Sequence, residues 1–139
     1  MAGYSGTPLL KKLGIKDGHR VLLRNAPTEL PEELKDYAKA RPAKDLDAIL
    51  LFAESCAAFQ AELAAAMKGI KSDGMIWIAW PKKTSGIRTD LTENVIRDRA
   101  LKTQLVDVKV CAIDEIWSGL KLVIRKEYRP ARSAQAIKN

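Results

Sequence analysis

A short cationic loop holds the side chains of this chain that are best suited to bind a ligand. Lys82, Lys83 and Arg88 supply positive charge, and Thr84 and Ser85 between them supply hydroxyl groups. Ammonium, guanidinium and hydroxyl groups donate hydrogen bonds to the oxygens of phosphates and carboxylates. The composition of this loop therefore predicts a site for an anion.

The segments on either side of the loop predict where it lies in the fold. Residues 75–80 form an uninterrupted apolar run, typical of a strand covered on both faces, and Pro81 ends that run. Asp90 and Glu93 have the spacing of a capping box at the start of a helix. Open α/β sheets usually bind ligands in polar loops at the carboxyl ends of parallel strands, so this position supports the prediction.

The remaining hydrophobic pattern predicts alternating strands and helices. The apolar residues at 21–23 and 48–52 predict two more covered strands, at residues 20–25 and 47–52. Residues 106–110 and 120–124 alternate apolar and polar side chains, which predicts a hairpin with one exposed face. Helices are predicted at residues 7–13, 31–39, 55–68 and 91–101. The resulting fold is an α/β three-layer sandwich, with a mainly parallel five-stranded sheet and a C-terminal antiparallel hairpin.

Two tryptophans lie in the predicted third strand. Trp77 and Trp80 are three residues apart, and side chains alternate between the faces of a strand. The two rings are therefore expected to point to opposite faces of the sheet, where they pack in the core under the helices.

The predicted topology gathers residues that are distant in the chain. All parallel strands end at one edge of the sheet, so Asn25 is expected near the cationic loop, and the hairpin turn adds Asp114 and Trp117. Trp117 is suited to stack on a planar part of a ligand. The alternative is that Trp117 covers the end of the sheet, that Asp90 only caps a helix, and that the lysines are solvated. The predicted ligand-binding residues are Asn25, Lys82, Lys83, Thr84, Ser85, Arg88, Asp90, Asp114 and Trp117.

Other common chemistries lack their residues in this sequence. Its one histidine, His19, is expected in a turn before the first strand, and its two cysteines, Cys56 and Cys111, are expected as buried thiols. Structural zinc sites need four ligands, usually from these two residue types, so no metal site is predicted. No Walker-type or dinucleotide-binding glycine pattern is present, and no cofactor is predicted.

The positive charge is concentrated near the C-terminus. The formal net charge is +7, and residues 121–139 hold most of the excess. Residues 1–126 are expected to form a single domain, and residues 127–139 a basic flexible tail. Such a tail attracts polyanions weakly and without sequence preference, so nucleic acid is not the expected partner.

The expected location is the cytoplasm. No apolar run approaches the roughly 20 residues that span a bilayer, so no membrane partner is expected. The first residues contain no basic segment followed by an apolar stretch, which a secretory signal requires.

The order of elements resembles a truncated class I methyltransferase fold. The strand at residues 47–52, the 72–74 turn into the next strand and the terminal hairpin at 122–126 carry this resemblance. It implies that the last strand inserts antiparallel between its two predecessors, which gives the strand order 1-2-3-5-4. That family binds its cofactor at a glycine-rich turn after the first strand, whereas residues 23–27 contain no glycine. S-adenosylmethionine bound in the usual mode is therefore not expected.

Several sequence motifs are also similar to a bacterial family described as a domain of unknown function. The opening MAGYSGTPL, the segment DGMIWIAWPKK at 73–83 and the segment TDLTEN at 89–94 carry this similarity, which extends over residues 1–126. It implies no particular activity.

Three functions are compatible with these features. The first is a non-catalytic module that binds an anionic small molecule or a protein partner at the carboxyl edge of the sheet. The second is a transferase-like enzyme that uses Asp90, Asp114 or a lysine as acid or base. The third is weak polyanion binding through the C-terminal tail. The edge beyond the first strand, where the methyltransferase fold has two further strands, is also a place where a second copy of the chain could pair.

Overall fold

Five strands form one sheet in the computed structural model, which describes residues 8–39 and 41–130. The spatial order is β1-β2-β3-β5-β4, as predicted. The strands are β1 (Val21–Arg24), β2 (Leu46–Phe52), β3 (Ile70–Pro81), β4 (Leu105–Ala112) and β5 (Trp117–Ile124).

Within the described residues, four helices and two short 3-10 turns precede, connect or follow the strands. The helices are α1 (Leu9–Leu13), α2 (Glu32–Lys39), α3 (Cys56–Gly69) and α4 (Glu93–Leu101), and the turns are Lys83–Ser85 and Lys126–Tyr128. The first residue of the helix predicted at 7–13 and residues 1–7 of the MAGYSGTPL motif lie outside the described residues, as does the tail from residue 131 onward.

The strand directions define the edge where a site is expected. β1, β2 and β3 are parallel, and β5 runs antiparallel to both β3 and β4. β4 therefore runs in the same direction as the first three strands. The carboxyl edge, which is the end of the sheet where β1 to β4 finish, is also where the turn into β5 lies.

The core lies on both faces of the sheet, which confirms the predicted three-layer architecture. On one face, Leu13 of α1 and Leu34 of α2 pack in the same cluster as Trp77. On the other face, Phe59 of α3 and Ile96 of α4 pack in the cluster that contains Trp80. The two tryptophans thus occupy opposite faces, as the alternation of strand residues predicts. Continuous burial of β2 and of β3 from Gly74 onward reflects this cover of helices on both sides.

Two predicted boundaries are wrong. β3 begins at Ile70, directly after α3, and Gly74 lies inside the strand instead of ending a turn. The pairing passes from Leu46↔Ile70 to Ala48↔Met75, so the polar residues between Ile70 and Met75 form an irregular bulge that the apolar pattern does not reveal. The second error is the start of α4. Its N-cap is Thr92, whose hydroxyl accepts a hydrogen bond from Val95 N at 3.2 Å, and not Asp90.

No helix among residues 8–39 and 41–130 has the length and apolar character needed to cross a membrane.

Asp47, at the amino end of the sheet, makes the stability of the fold depend on pH. Its carboxylate accepts hydrogen bonds from Arg20 N at 2.8 Å and from Lys71 Nζ at 3.0 Å. Partial burial acts to raise the pKa of Asp47, but the hydrogen bond from Arg20 and the hydrogen bond and charge of Lys71 outweigh it, so the pKa is lowered. A carboxyl group whose pKa is lower in the folded chain stabilises the fold above its unfolded pKa, and that contribution is lost as the pH falls.

We therefore expect the stability of the Asp47→Asn variant to depend less on pH, in the acid range, than the stability of the wild type. Between neutral pH and the region below about pH 4, the wild type should lose more unfolding free energy than the variant, by about 1 kcal/mol or less because the pair with Lys71 is near the surface. Urea unfolding at a series of pH values measures this difference. Parallel curves for the two proteins would contradict the assignment.

Candidate site at the carboxyl edge

The cationic loop folds largely through its own hydrogen bonds. Lys82 N donates to Ile116 O at 2.8 Å, which ties the loop to the hairpin turn. The Ser85 hydroxyl donates to Lys82 O at 2.6 Å and accepts from Ile87 N at 3.1 Å. Gly86 follows with a φ of 81°, a left-handed conformation that glycine adopts without strain. Ser85 therefore maintains the loop, whereas the side chains of Lys83, Thr84 and Arg88 are exposed.

Asp90 contacts the start of a helix other than the one that the sequence pattern predicts, where it supplements the N-cap Ser55 of α3. Its Oδ1 accepts a hydrogen bond from Cys56 N at 2.8 Å, at the first residue of α3. Beside it, the Thr89 hydroxyl donates to Glu54 O at 2.6 Å, so the loop crosses over the end of β2. These contacts hold residues 89–90 against the start of α3.

Cys56 is a weak nucleophile in this environment. Partial burial raises the pKa of its thiol, and the charge of Asp90 together with a hydrogen bond to that residue raises the pKa further. The thiol donates to Asp90 O at 3.5 Å. A raised pKa favours the thiol over the reactive thiolate, so the environment is that of a structural cysteine.

Removing the carboxylate of Asp90 should destabilise the fold. Asp90→Ala leaves Cys56 N without its acceptor. Because Ser55 still caps α3, we expect a cost of about 0.5–1.5 kcal/mol, that of one hydrogen bond. Asp90→Asn keeps an acceptor oxygen and should cost less. Chemical denaturation measures both, with Asp98→Ala as a control because Asp98 is an exposed acid of α4. An equal, near-zero change in all three variants would contradict the capping role.

Asp114 and Trp117 also have structural partners. Asp114 Oδ1 accepts hydrogen bonds from Ile116 N and Trp117 N, each at 2.8 Å, and so closes the turn between β4 and β5. The side chain of Trp117 is only 4% exposed and meets the ring of Phe52 edge to face, with 5.1 Å between ring centroids. These contacts agree with the alternative interpretation in which Trp117 covers the end of the sheet.

A small cavity lies at the ends of β1 and β2. It has a volume of about 220 Å³, and its lining includes Asn25, Pro27, Phe52, Glu54 and Trp117. Its lining thus contains one carboxylate and no cation. Of the predicted ligand-binding residues, Asn25 and Trp117 meet here, while Lys82 to Arg88 and Asp90 lie elsewhere on the carboxyl edge.

A much larger concavity runs beside β1. This β1 groove has a volume of about 900 Å³ and begins at the carboxyl end of the strand, where it shares Asn25 and Pro27 with the smaller cavity. Asn25 has a φ of 57°, so the chain turns sharply after β1. The lining comprises residues 22–28, 30, 35, 38 and 41–43.

The β1 groove is positively charged. Its lining includes Arg24, Lys35 and Arg41, and none of the described residues that line it is acidic. Arg24 forms an ion pair with Glu62, and Lys35 forms one with Glu32 at 3.1 Å. Arg41 is exposed and has no ion-pair partner among residues 8–39 and 41–130.

The sequence pattern does not predict that these three cations share a site. They are spread over a strand, a helix and a loop, so no local pattern links them. One sequence feature did point to this region. No strand is predicted beyond the first one, so the connection from β1 to β2 lies next to an unpaired edge of the sheet.

Metal-binding groups are not clustered in the part of the chain that the structure describes. There, no three residues among His, Cys, Asp and Glu are close enough to hold a metal ion. His19 lies before β1, away from the carboxyl edge, and its Nδ1 accepts a hydrogen bond from Lys16 N at 3.0 Å.

Comparison with known proteins assigns no family to the chain. No protein-family model and no curated protein matches it, so the similarity to the bacterial family described above stays a prediction. Among solved structures, a match is a chain described as LepI in complex with SAM, with 12% sequence identity and a TM-score of 0.48. The aligned region covers 84% of the present chain and 39% of that chain. A similarity at this level assigns neither a ligand nor a reaction to the present chain.

Proposed function

We propose that this chain is a non-catalytic module that binds an anionic ligand in the β1 groove, which opens at the carboxyl edge of its sheet. The observation that carries the proposal is the lining of that groove, which has three cationic side chains and, among its described residues, no acidic one. Its volume of about 900 Å³ lies within the range of small-molecule sites, whereas the 220 Å³ cavity beside it is smaller than that range.

The groove combines charge with apolar surface. Leu22, Leu30 and Pro42 contribute apolar contacts, while Asn25 offers an amide where the groove opens onto the carboxyl edge. Apolar walls with a few placed polar groups are the usual composition of ligand sites. Arg41 supports a phosphate or carboxylate best, because its guanidinium is exposed and no described acidic group neutralises it.

The partners of the other polar groups support binding over catalysis. Asp90 and Asp114, the two carboxylates considered for acid–base chemistry, each accept backbone hydrogen bonds that maintain the fold. The thiol of Cys56 has a raised pKa, and His19 lies away from the carboxyl edge. A general acid or base must reach the substrate proton, and these groups are committed to structural contacts.

Thermal unfolding in the presence of anionic ligands tests the proposal. We would screen nucleotides, sugar phosphates, acyl carriers and S-adenosylmethionine. A ligand at about 100 times its Kd stabilises the folded chain by about 2.7 kcal/mol. The decisive comparison uses the Lys35→Ala/Arg41→Ala double variant, which removes two cations from the groove without touching the core.

The chain offers a matched control for that variant. Lys82→Ala/Lys83→Ala removes the same charge from the cationic loop, which lines neither cavity. We expect the groove variant to weaken binding about tenfold or more, since a hydrogen bond to a charged group contributes about 1.5–3 kcal/mol, and the loop variant to bind normally. Loss of binding only in the loop variant would move the site to residues 82–88, and equal loss in both would indicate non-specific attraction.

A further inference from the structure

We infer that the occupant of the β1 groove is an extended acidic segment of a partner protein, which pairs with β1 as a sixth strand of the sheet. This inference rests on the proposed function, because it names the ligand of the same groove. Strand addition of this kind takes its affinity from backbone hydrogen bonds and its specificity from alternate side chains.

The backbone of β1 is suited to such pairing. In the part of the chain that the structure describes, β1 is the outermost strand on its side of the sheet, and its register with β2 runs from Val21↔Ala48 to Arg24↔Leu51 without a shift. Arg20 O accepts hydrogen bonds from Asp47 N and Ala48 N, so Arg20 faces β2. Because the hydrogen-bonding direction alternates along a strand, the N–H and C=O groups of Val21 and Leu23 point to the open side.

The opposite edge of the sheet has features that block pairing. β4 contains a bulge, since its register shifts between Asp107↔Leu122 and Lys109↔Lys121. Asp107 also forms a 2.9 Å ion pair with Arg97 on one face of the sheet. Bulges and charged side chains are the devices by which natural sheets prevent edge-to-edge association. β1 is shorter, with four residues, and it also carries a charged side chain, that of Arg24. Its ladder with β2 has no bulge, however, which makes it the better suited of the two edges to accept a strand.

Space is present on both faces of the sheet beside β1. The large groove lies next to α2, and a second cavity of about 140 Å³ lies towards α3, where its lining includes Glu62 and Gly69. Leu22 and Arg24 line both cavities. An added strand places successive side chains on opposite faces, so it needs room on both sides of the sheet. A small molecule would need only one of these spaces.

Charge determines which kind of segment fits. A second copy of the chain paired through β1 would place two such grooves side by side. Arg24 and Lys35 each have a glutamate partner, so the unfavourable like charge across that interface comes from the Arg41 side chains of the two copies. An acidic segment instead places carboxylates next to Arg41 and the other two cations. The partner is therefore a protein with an exposed, extended run in which acidic and apolar residues alternate.

The experiment uses the full-length protein and synthetic peptides. The probes are fluorescein-labelled hexapeptides in which glutamate alternates with valine, isoleucine, leucine, phenylalanine or tyrosine, and a matched set with lysine in place of glutamate. Fluorescence anisotropy should show that the acidic set binds and the basic set does not. No binding by any acidic peptide up to about 1 mM, equivalent to about −4 kcal/mol, would overturn the inference.

Backbone methylation separates strand addition from simple charge attraction. Two forms of the best peptide are N-methylated on alternate residues, one on the odd positions and one on the even positions. A strand paired along one edge uses only one of these two sets of N–H groups, so one form should lose binding at least tenfold and the other should retain it. Equal binding by both forms would overturn strand addition.

The outcomes distinguish this inference from the proposed function. If Lys35→Ala/Arg41→Ala weakens the peptide but methylation has no effect, the anion site stands and the sixth strand does not. If small anions bind in the groove and no peptide does, the conclusion is the same. If neither ligand class depends on these cations, the proposed function itself is wrong. A dimer in sedimentation, together with no binding of any acidic peptide, would overturn the inference in favour of a second copy at the β1 edge.

Discussion

Replacing Trp77 with alanine is expected to lower the free energy of unfolding by about 3–5 kcal/mol, the usual cost of removing a large aromatic side chain from a core. Trp77 lies in the middle of β3, its side chain is fully buried, and it packs with Leu13, Leu34 and Phe52. The substitution leaves a cavity where α1 and α2 meet the sheet. Urea denaturation followed by circular dichroism measures the loss.

A second substitution isolates the hydrogen bond of the indole. Trp77 Nε1 donates to Leu13 O at 2.9 Å, and this buried bond ties the last residue of α1 to the centre of the sheet. Trp77→Phe keeps an aromatic ring but leaves Leu13 O without its donor, which costs about 1–3 kcal/mol. Trp80→Phe is the matched control, because Trp80 lies on the other face of the same strand. Equal losses for the two Trp→Phe variants would show that the hydrogen bond contributes nothing.

Hydrophobic pattern was sufficient to predict the succession of strands and helices in this chain. The apolar runs that became β2 and β3 are unbroken because helices cover both faces, whereas the hairpin strands alternate because part of their surface is exposed. The insertion of β5 between β3 and β4 does not follow from periodicity. It was implied only by the resemblance to the methyltransferase fold, and the pairing of Ile78 with Leu120 and of the other residues of the two strands confirms it.

Helix caps were predictable only in part, because the sequence window contains several acceptors. Asp90, Thr92 and Glu93 all stand before the apolar residues of α4, and the spacing of Asp90 and Glu93 fits a capping box. In the fold, Thr92 caps α4, and Asp90 reaches Cys56 N, which is 34 residues away in the sequence. A contact of that range depends on how the loop crosses β2, and local spacing contains no information about it.

The candidate site was also predictable only in part. The topology placed Asn25, the cationic loop and the hairpin turn at one edge, and the structure agrees with that placement. The pattern did not show that Trp117 is buried against Phe52 or that Asp114 closes the turn. The β1 groove is a space beside an edge strand. Hydrophobic pattern predicts the strands that a chain forms, and it does not predict the spaces beside them.

Gly74→Ala is expected to destabilise the chain by about 1–3 kcal/mol, the typical cost of overpacking a core. A Cβ atom at this position would lie 2.9 Å from Leu46 O, closer than such atoms approach in folded proteins, and 3.1 Å from Lys71 O, which is tighter than most Cβ contacts. Both neighbours are backbone atoms of paired strands, so relief requires the strands themselves to move. Gly74 lies where the bulge of β3 rejoins its regular pairing with β2, at Met75.

Gly69→Ala is the matched control for this prediction. Gly69 is the last residue of α3, and a Cβ atom there would meet the flexible end of Leu46 at an ordinary distance of 3.4 Å. Since alanine loses less backbone entropy than glycine on folding, this variant should be neutral or up to about 1 kcal/mol more stable. The two substitutions add the same methyl group, so opposite effects on urea denaturation would show that β2 and β3 fit tightly at the bulge. If Gly74→Ala were as stable as Gly69→Ala, the bulge would have to be loose enough to shift, and the close pairing of β2 with β3 at that point would be wrong.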